Sequence, residues 1–150
     1  MNILFVCTGN VCRSVIAEKL LKKILAEEKI NGIAVRSVGI AANPQYRIYG
    51  YLAEVMTEAG IDFSDHKSTQ ISAEDISWAD LILVMEKGHR DFLKNNFPSV
   101  ISRLYLLKEY AGFGEEEIAD PLNLPPPAHK LTLEEIKKCV EKIVQRIKNV

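Results

Sequence analysis

Apolar positions along the chain follow two alternating rhythms. Asn2–Val6 is a short, nearly continuous apolar run, the pattern of a strand buried on both faces. From Arg13 to about Glu28 the period becomes helical. Ile16, Leu20 and Ile24 form one stripe, with Ala17, Leu21 and Leu25 beside it. Ile33–Val38 predicts a second strand and Gly39–Gln45 a loop. Tyr46–Ala59 predicts a helix stopped by Gly60, with Tyr46, Tyr49 and Tyr51 read as part of its packing ahead of the alternative, a phosphorylatable or pocket-rim cluster. Asp62–Ile71 is polar and irregular. Ser72 with Asp75 predicts the capped start of a short helix ending near Trp78. Leu81–Met85 is the most apolar run and predicts a central strand. Lys87–Asn95 predicts a helix closed before Pro98, and Arg103–Leu107 a fourth strand. Gly112–Lys130 reads as a long loop. Thr132 with Glu135 predicts the start of a last helix with Ile136, Val140, Ile143 and Ile147 on its buried face.

Strands alternating with helices predict an α/β domain with a parallel sheet and helices on both faces. The 150 residues suffice for one such domain, residues 1–150, and are too few for two ordinary ones. Ligands of these sheets bind beyond the carboxyl ends of the strands, so the segment between the first strand and the first helix is the place to look for chemistry.

Composition narrows the choice of ligand. Nineteen basic residues against twenty acidic ones give a net charge of −1, with no basic field for nucleic acid or an anionic membrane. An anion must therefore be held by a local device. No apolar run approaches the ~20 residues of a spanning helix. MNILFVCTGN lacks the features of a signal peptide, so the expected location is the cytoplasm. Three cysteines, an odd number, fit a reducing compartment better than a disulfide framework.

The segment in question is VCTGNVCRS, Val6 to Ser14. Cys7 and Arg13 enclose Thr8, Gly9, Asn10, Val11 and Cys12. A five-residue loop leading into a helix can curl its backbone N–H groups inward, making an anion nest extended by the helix N-terminus. Gly9 permits a positive φ, and Asn10 tolerates one. Arg13 adds a planar fork that fits two phosphate oxygens. Donors that hold a phosphate dianion also stabilise a thiolate on Cys7. A thiolate facing a trapped phosphate predicts displacement at phosphorus through a cysteinyl-phosphate. Ser14 can hydrogen-bond that thiolate. The segment is neither a Walker loop nor GxGxxG, and a zinc site would need four suitably spaced ligands, whereas Cys139 lies mid-helix.

With RSVG at Arg36–Gly39, GIDFSDHKS at Gly60–Ser68, ADLILVM at Ala79–Met85 and the Asp120-Pro121 pair, the segment resembles the low-molecular-weight protein tyrosine phosphatase family across essentially the whole chain. The resemblance implies a four-stranded parallel sheet of order 2-1-3-4 and hydrolysis of phosphate monoesters through a phosphocysteine, without metal or cofactor. Phosphorylated protein is then the substrate and inorganic phosphate a product. It implies that Cys7 is the nucleophile, Arg13 the phosphate clamp and Asp120 the general acid, and that Asn10 is held by Ser14, Ser37 and His66. Tyrosine-specific members usually carry aromatic residues after the Asp-Pro pair and in the loop after strand two. Here Leu122-Asn123-Leu124 and Ala41-Ala42-Asn43 stand instead, so a loosely walled pocket is expected. The family also has an arginine-phosphatase branch, with Thr at the position of Val11.

Simpler readings stand beside these. Cys12 is either packing or a reversible disulfide partner that protects Cys7 from over-oxidation. Cys139 reads as core, and His89 and His129 as surface residues. Asp120 alone could be a turn-former before proline. An arsenate reductase of similar fold would need two further redox cysteines near the third strand, and Leu81–Asn95 contains none. A non-catalytic phosphate-binding module would not need both nucleophile and acid. Phosphotyrosine is the first expectation for the substrate and phosphoarginine the alternative.

Overall fold

The computed structural model describes residues 1–150. Four strands, β1 (Asn2–Cys7), β2 (Ala34–Gly39), β3 (Leu81–Val84) and β4 (Leu104–Leu106), pair in parallel in the order β2-β1-β3-β4. β1 therefore has a neighbour on each side, and its interior residues are fully buried. Its side chains alternate between two cores. Ile3, Phe5 and Cys7 pack under α1 (Arg13–Glu27), α2 (Gly50–Glu58) and α6 (Pro126–Lys148). Leu4 and Val6 pack under α3 (Ala73–Trp78) and α4 (Lys87–Asn96). A strand apolar at every buried position, as β1 is from Ile3 to Cys7, is what two helical layers require.

The sequence-based elements hold, with corrections at α2, the fourth strand and α6. The helix expected from Tyr46 begins at Gly50, so Tyr46 and Tyr49 precede it; both are exposed, as is Tyr51. Pro98–Arg103 forms a 3₁₀ turn, and the fourth strand shrinks to Leu104–Leu106 before a single helical turn, α5 (Leu107–Tyr110). The last helix starts at Pro126 rather than at Thr132, which is buried within it. Proline at the first helical position loses no hydrogen bond and has its φ preset, so the proline run starts the helix instead of belonging to the loop. Ser72 and Asp75 cap α3 reciprocally, and Gly60, at φ +73°, closes α2. No helix is long and apolar enough to cross a membrane.

Candidate active site

β1 ends at Cys7 and α1 starts at Arg13, so five residues must reverse the chain at the carboxyl edge of the sheet. Of the two residues able to take a positive φ, Asn10 is the left-handed one, at φ +54°, and Gly9 has no positive φ. Asn10 is fully buried and every polar atom of its side chain is engaged. Its Nδ2 donates to Ser14 Oγ at 2.8 Å and Ser37 Oγ at 2.9 Å, and its Oδ1 accepts from Thr69 N at 2.9 Å. Its carbonyl accepts from Ser68 Oγ at 2.9 Å and faces His66 Nε2 at 2.8 Å. Those bonds hold a residue in a conformation that costs a non-glycine chain of order 1 kcal/mol. Gly39 is needed for a different reason. A Cβ there would lie 2.5 Å from the Thr8 carbonyl, so only glycine lets β2 approach the loop.

The residues expected to support Asn10 are all in place, and the network extends further. Ser37 Oγ donates to Glu18 at 2.5 Å, and Glu18 pairs with Lys22. Ser14 Oγ accepts from Asn10, which leaves its hydroxyl hydrogen for Cys7 Sγ at 2.9 Å. Cys7 and Cys12 are both buried, and neither forms a disulfide. Burial pushes the Cys12 thiol far up, Cys7 and Asp120 adding to the effect, so Cys12 stays protonated.

Arg13 is 2% exposed and reaches the same end of the sheet. Its Nη1 donates to Glu86 Oε2 at 2.6 Å and the Ile118 carbonyl at 2.8 Å. Its Nη2 lies 3.4 Å from Thr8 Oγ1 and 3.6 Å from Asp120 Oδ2. Asp120 thus arrives opposite the loop, from 107 residues away in sequence (120 − 13). Its Oδ1 accepts from Leu122 N at 3.0 Å, and its side chain remains 39% exposed. The segment carrying it is tied down by Ile118 N to the Met85 carbonyl and by Glu117 to the Lys87 amide.

Two functional neighbours escaped the sequence reading. Glu86 orients Arg13, and His89, expected at the surface, is 3% exposed. His89 Nδ1 accepts from Glu86 N at 3.1 Å, so Nε2 carries the hydrogen and donates to Thr8 Oγ1 at 2.8 Å. The start of α4 therefore bolts onto the loop at two points, through Arg13 and through Thr8. A histidine three residues after a glutamate at a helix start could have indicated the cap. Nothing in the sequence pointed to Thr8.

Burial, reinforced by the charge of Arg13, lowers the His89 pKa from 6.5 to about 4, against Glu86, Glu117 and Asp120, which raise it. The folded protein then binds fewer protons than the unfolded chain between these values. The stability this histidine contributes is complete above pH 6.5 and is lost as pH falls towards about 4. His89→Asn is expected to flatten the dependence of melting temperature on pH across that window. An unchanged slope would assign the acid sensitivity to other groups.

Above the loop lies a cavity of about 290 Å³ lined by Thr8, Gly9, Val11, Ala41, Tyr46, Arg47, Tyr49, Asp120 and Leu122. Its aromatic walls come from Tyr46 and Tyr49, which stand in the loop between β2 and α2 beyond Ala41–Asn43, and not from the residues after Pro121. Both rings are exposed and stand at the rim of the cavity. The missing aromatics are supplied by residues that a helical reading had assigned to packing.

A sequence model described as low molecular weight phosphotyrosine protein phosphatase matches residues 2–150. Among curated relatives, a protein-arginine-phosphatase of Geobacillus stearothermophilus is 31% identical over 146 residues, 97% of this chain and 95% of that protein. The probable low molecular weight protein-tyrosine-phosphatase EpsP of Ralstonia nicotianae is 36% identical over 147 residues, 98% and 96% of the two chains. Among solved structures, a variant of the YwlE arginine phosphatase with a phosphorylated active-site serine superimposes with a TM-score of 0.92 at 31% identity, covering 99% of this chain and 96% of that one.

Proposed function

Because the chain belongs to the low molecular weight phosphotyrosine protein phosphatase family, a family of hydrolases, we propose that it dephosphorylates phosphotyrosine in cytoplasmic proteins, with Cys7 as nucleophile, Arg13 as clamp and Asp120 as general acid. The observation that carries this reading is the meeting of Arg13 and Asp120, 3.6 Å apart, beside the loop that starts at Cys7. One group holds a phosphoryl oxygen and the other can reach the leaving oxygen.

The reaction runs in two displacements. The phosphoryl group sits in the nest of loop N–H groups from Thr8 to Ser14, with two of its oxygens on Arg13. Arg13 is already oriented by Glu86 and the Ile118 carbonyl, so little side-chain ordering is needed on binding. Cys7 Sγ attacks phosphorus, the bond to the tyrosine oxygen breaks, and Asp120 gives that oxygen its proton. Water then attacks the cysteinyl-phosphate, Asp120 takes its proton, and inorganic phosphate leaves. Ser14 donates to the sulfur and stabilises it as the departing thiolate.

The apolar face of Val11 and the rings of Tyr46 and Tyr49 support phosphotyrosine, because each packs on a flat ring without leaving a donor unpaired. A second reading, phosphoarginine, is supported by the names of the arginine-phosphatase relatives. The test compares phosphotyrosine and phosphoarginine peptides at matched concentrations. The expected result is higher kcat/KM for phosphotyrosine. Val11→Thr should move the ratio towards phosphoarginine by about tenfold, since a hydroxyl that pairs a guanidinium N–H recovers roughly 1.4 kcal/mol. A preference for phosphoarginine in the unmodified protein would overturn the first reading in favour of the second.

Cys12 supports a protective role beside Cys7. Oxidation of Cys7 by peroxide to the sulfenic acid would be followed by attack of the Cys12 sulfur, the Cys12 thiol proton leaving with the sulfenic hydroxyl as water as the disulfide forms. Cys12→Ser should leave fresh activity nearly intact and make inactivation by peroxide harder to reverse with dithiothreitol. Equal recovery of both proteins would return Cys12 to packing.

A further inference from the structure

A second cavity, of about 350 Å³, adjoins the first and shares Val11, Arg47, Tyr49 and Leu122 with it. Its remaining wall is largely apolar, formed by Tyr51, Leu52 and Leu124, with Gly50, Asn123 and His129 completing it. Tyr49, Tyr51, Leu122 and Leu124 are all exposed, which is a concentration of apolar surface at the mouth of a catalytic cavity. His129 makes the place unusual. The sequence assigned it to the surface, yet it is only 6% exposed. Neither ring nitrogen hydrogen-bonds to any protein group, and Nδ1 is shielded from solvent. The ring atom open to a ligand in the cavity is therefore Nε2, which is reached by solvent and has no protein partner.

We propose that this cavity is a substrate subsite, taking an apolar side chain within two residues of the phosphorylated one, with the His129 imidazole hydrogen-bonded to the substrate main chain. The inference rests on the phosphatase reading, because that reading places the phosphorylated side chain in the adjoining cavity. The two cavities share four residues, so they lie within the reach of one extended segment, at ~3.3–3.6 Å per residue. An apolar side chain entering the second cavity would cover Leu122, Leu124 and Tyr51 from water. An acidic or absent side chain would not. The subsite therefore selects on sequence context rather than on the phosphorylated residue.

The test uses phosphopeptides identical except for leucine, glycine or aspartate at each position within two residues of the phosphorylated one. Leucine at one flank should raise kcat/KM by about tenfold over glycine, the scale of one filled apolar pocket. Leu124→Asp, at a half-exposed loop position that tolerates the change, should reduce that preference to about twofold or less. His129→Phe should lower kcat/KM for every peptide. Both variants should turn over p-nitrophenyl phosphate, which has no flanks, at the unmodified rate. A flat response to the flank, or a preference that survives Leu124→Asp, overturns the subsite while p-nitrophenyl phosphate turnover leaves the phosphatase reading standing. No p-nitrophenyl phosphate turnover in the unmodified protein overturns both.

Discussion

Cys7→Ser is expected to abolish turnover while leaving phosphate binding in place. The loop that would hold the phosphoryl group is built from backbone and from Arg13, Asn10 and Ser14, none of which the substitution removes. A serine hydroxyl is far harder to ionise than a thiol, and no general base lies beside it. The nearest partner of Cys7 is the hydroxyl of Ser14, whose oxygen already accepts from Asn10. Kinetics should show no multiple turnover, and equilibrium titration should show competitive phosphate or vanadate binding within about tenfold of the unmodified protein. Catalytic cycles in the serine variant would remove Cys7 from the nucleophile position. Loss of phosphate binding along with turnover would mean that the sulfur holds the loop together rather than attacking.

Asp120→Asn should slow the chemical step by about 10²–10⁴-fold for a poor leaving group, the usual range for a lost general acid. The amide keeps the acceptor that binds the Leu122 N–H, so the local turn should survive. The defect should shrink for p-nitrophenyl phosphate, whose leaving group departs with little protonation. A slope of rate against leaving-group basicity that steepens in the variant identifies the missing proton. An equal defect for every leaving group would instead make Asp120 an electrostatic partner of Arg13, a role its 3.6 Å approach could also serve.

The parts of the site written within one stretch were the legible ones. Cys7 to Ser14 fold as a unit, and their spacing alone predicts an anion nest with a nucleophile beneath it. β1 and β3 were legible because strands buried on both faces leave no polar position to confuse the period. Asp120 was different. Spacing gave it no advantage over other carboxylates, and only the family resemblance selected it. Glu86 and His89 were missed because their partners, Arg13 and Thr8, are 73 and 81 residues away and the pairs form only when β3 is laid beside β1. The tyrosines were misplaced for a local reason. Residues 46 and 49 are three apart, a spacing that fits one side of a helix, but the chain stays irregular until Gly50 takes a positive φ. That delay turns Tyr46 and Tyr49 from packing into the wall of the cavity. The start of α6 was misread because a capping pair at Thr132 and Glu135 looks the same inside a helix as at its end.

The central claim is that phosphate passes through the sulfur of Cys7. Acid quenching of the enzyme during turnover of a phosphotyrosine peptide, followed by mass spectrometry of the fragment carrying Cys7–Arg13, tests it most directly. One phosphoryl group on that fragment, assigned to Cys7, increased in Asp120→Asn with a good leaving group and absent from Cys7→Ala, is the result expected. Turnover at full rate with an unmodified fragment at every quench time would contradict it and leave direct attack by water as the route.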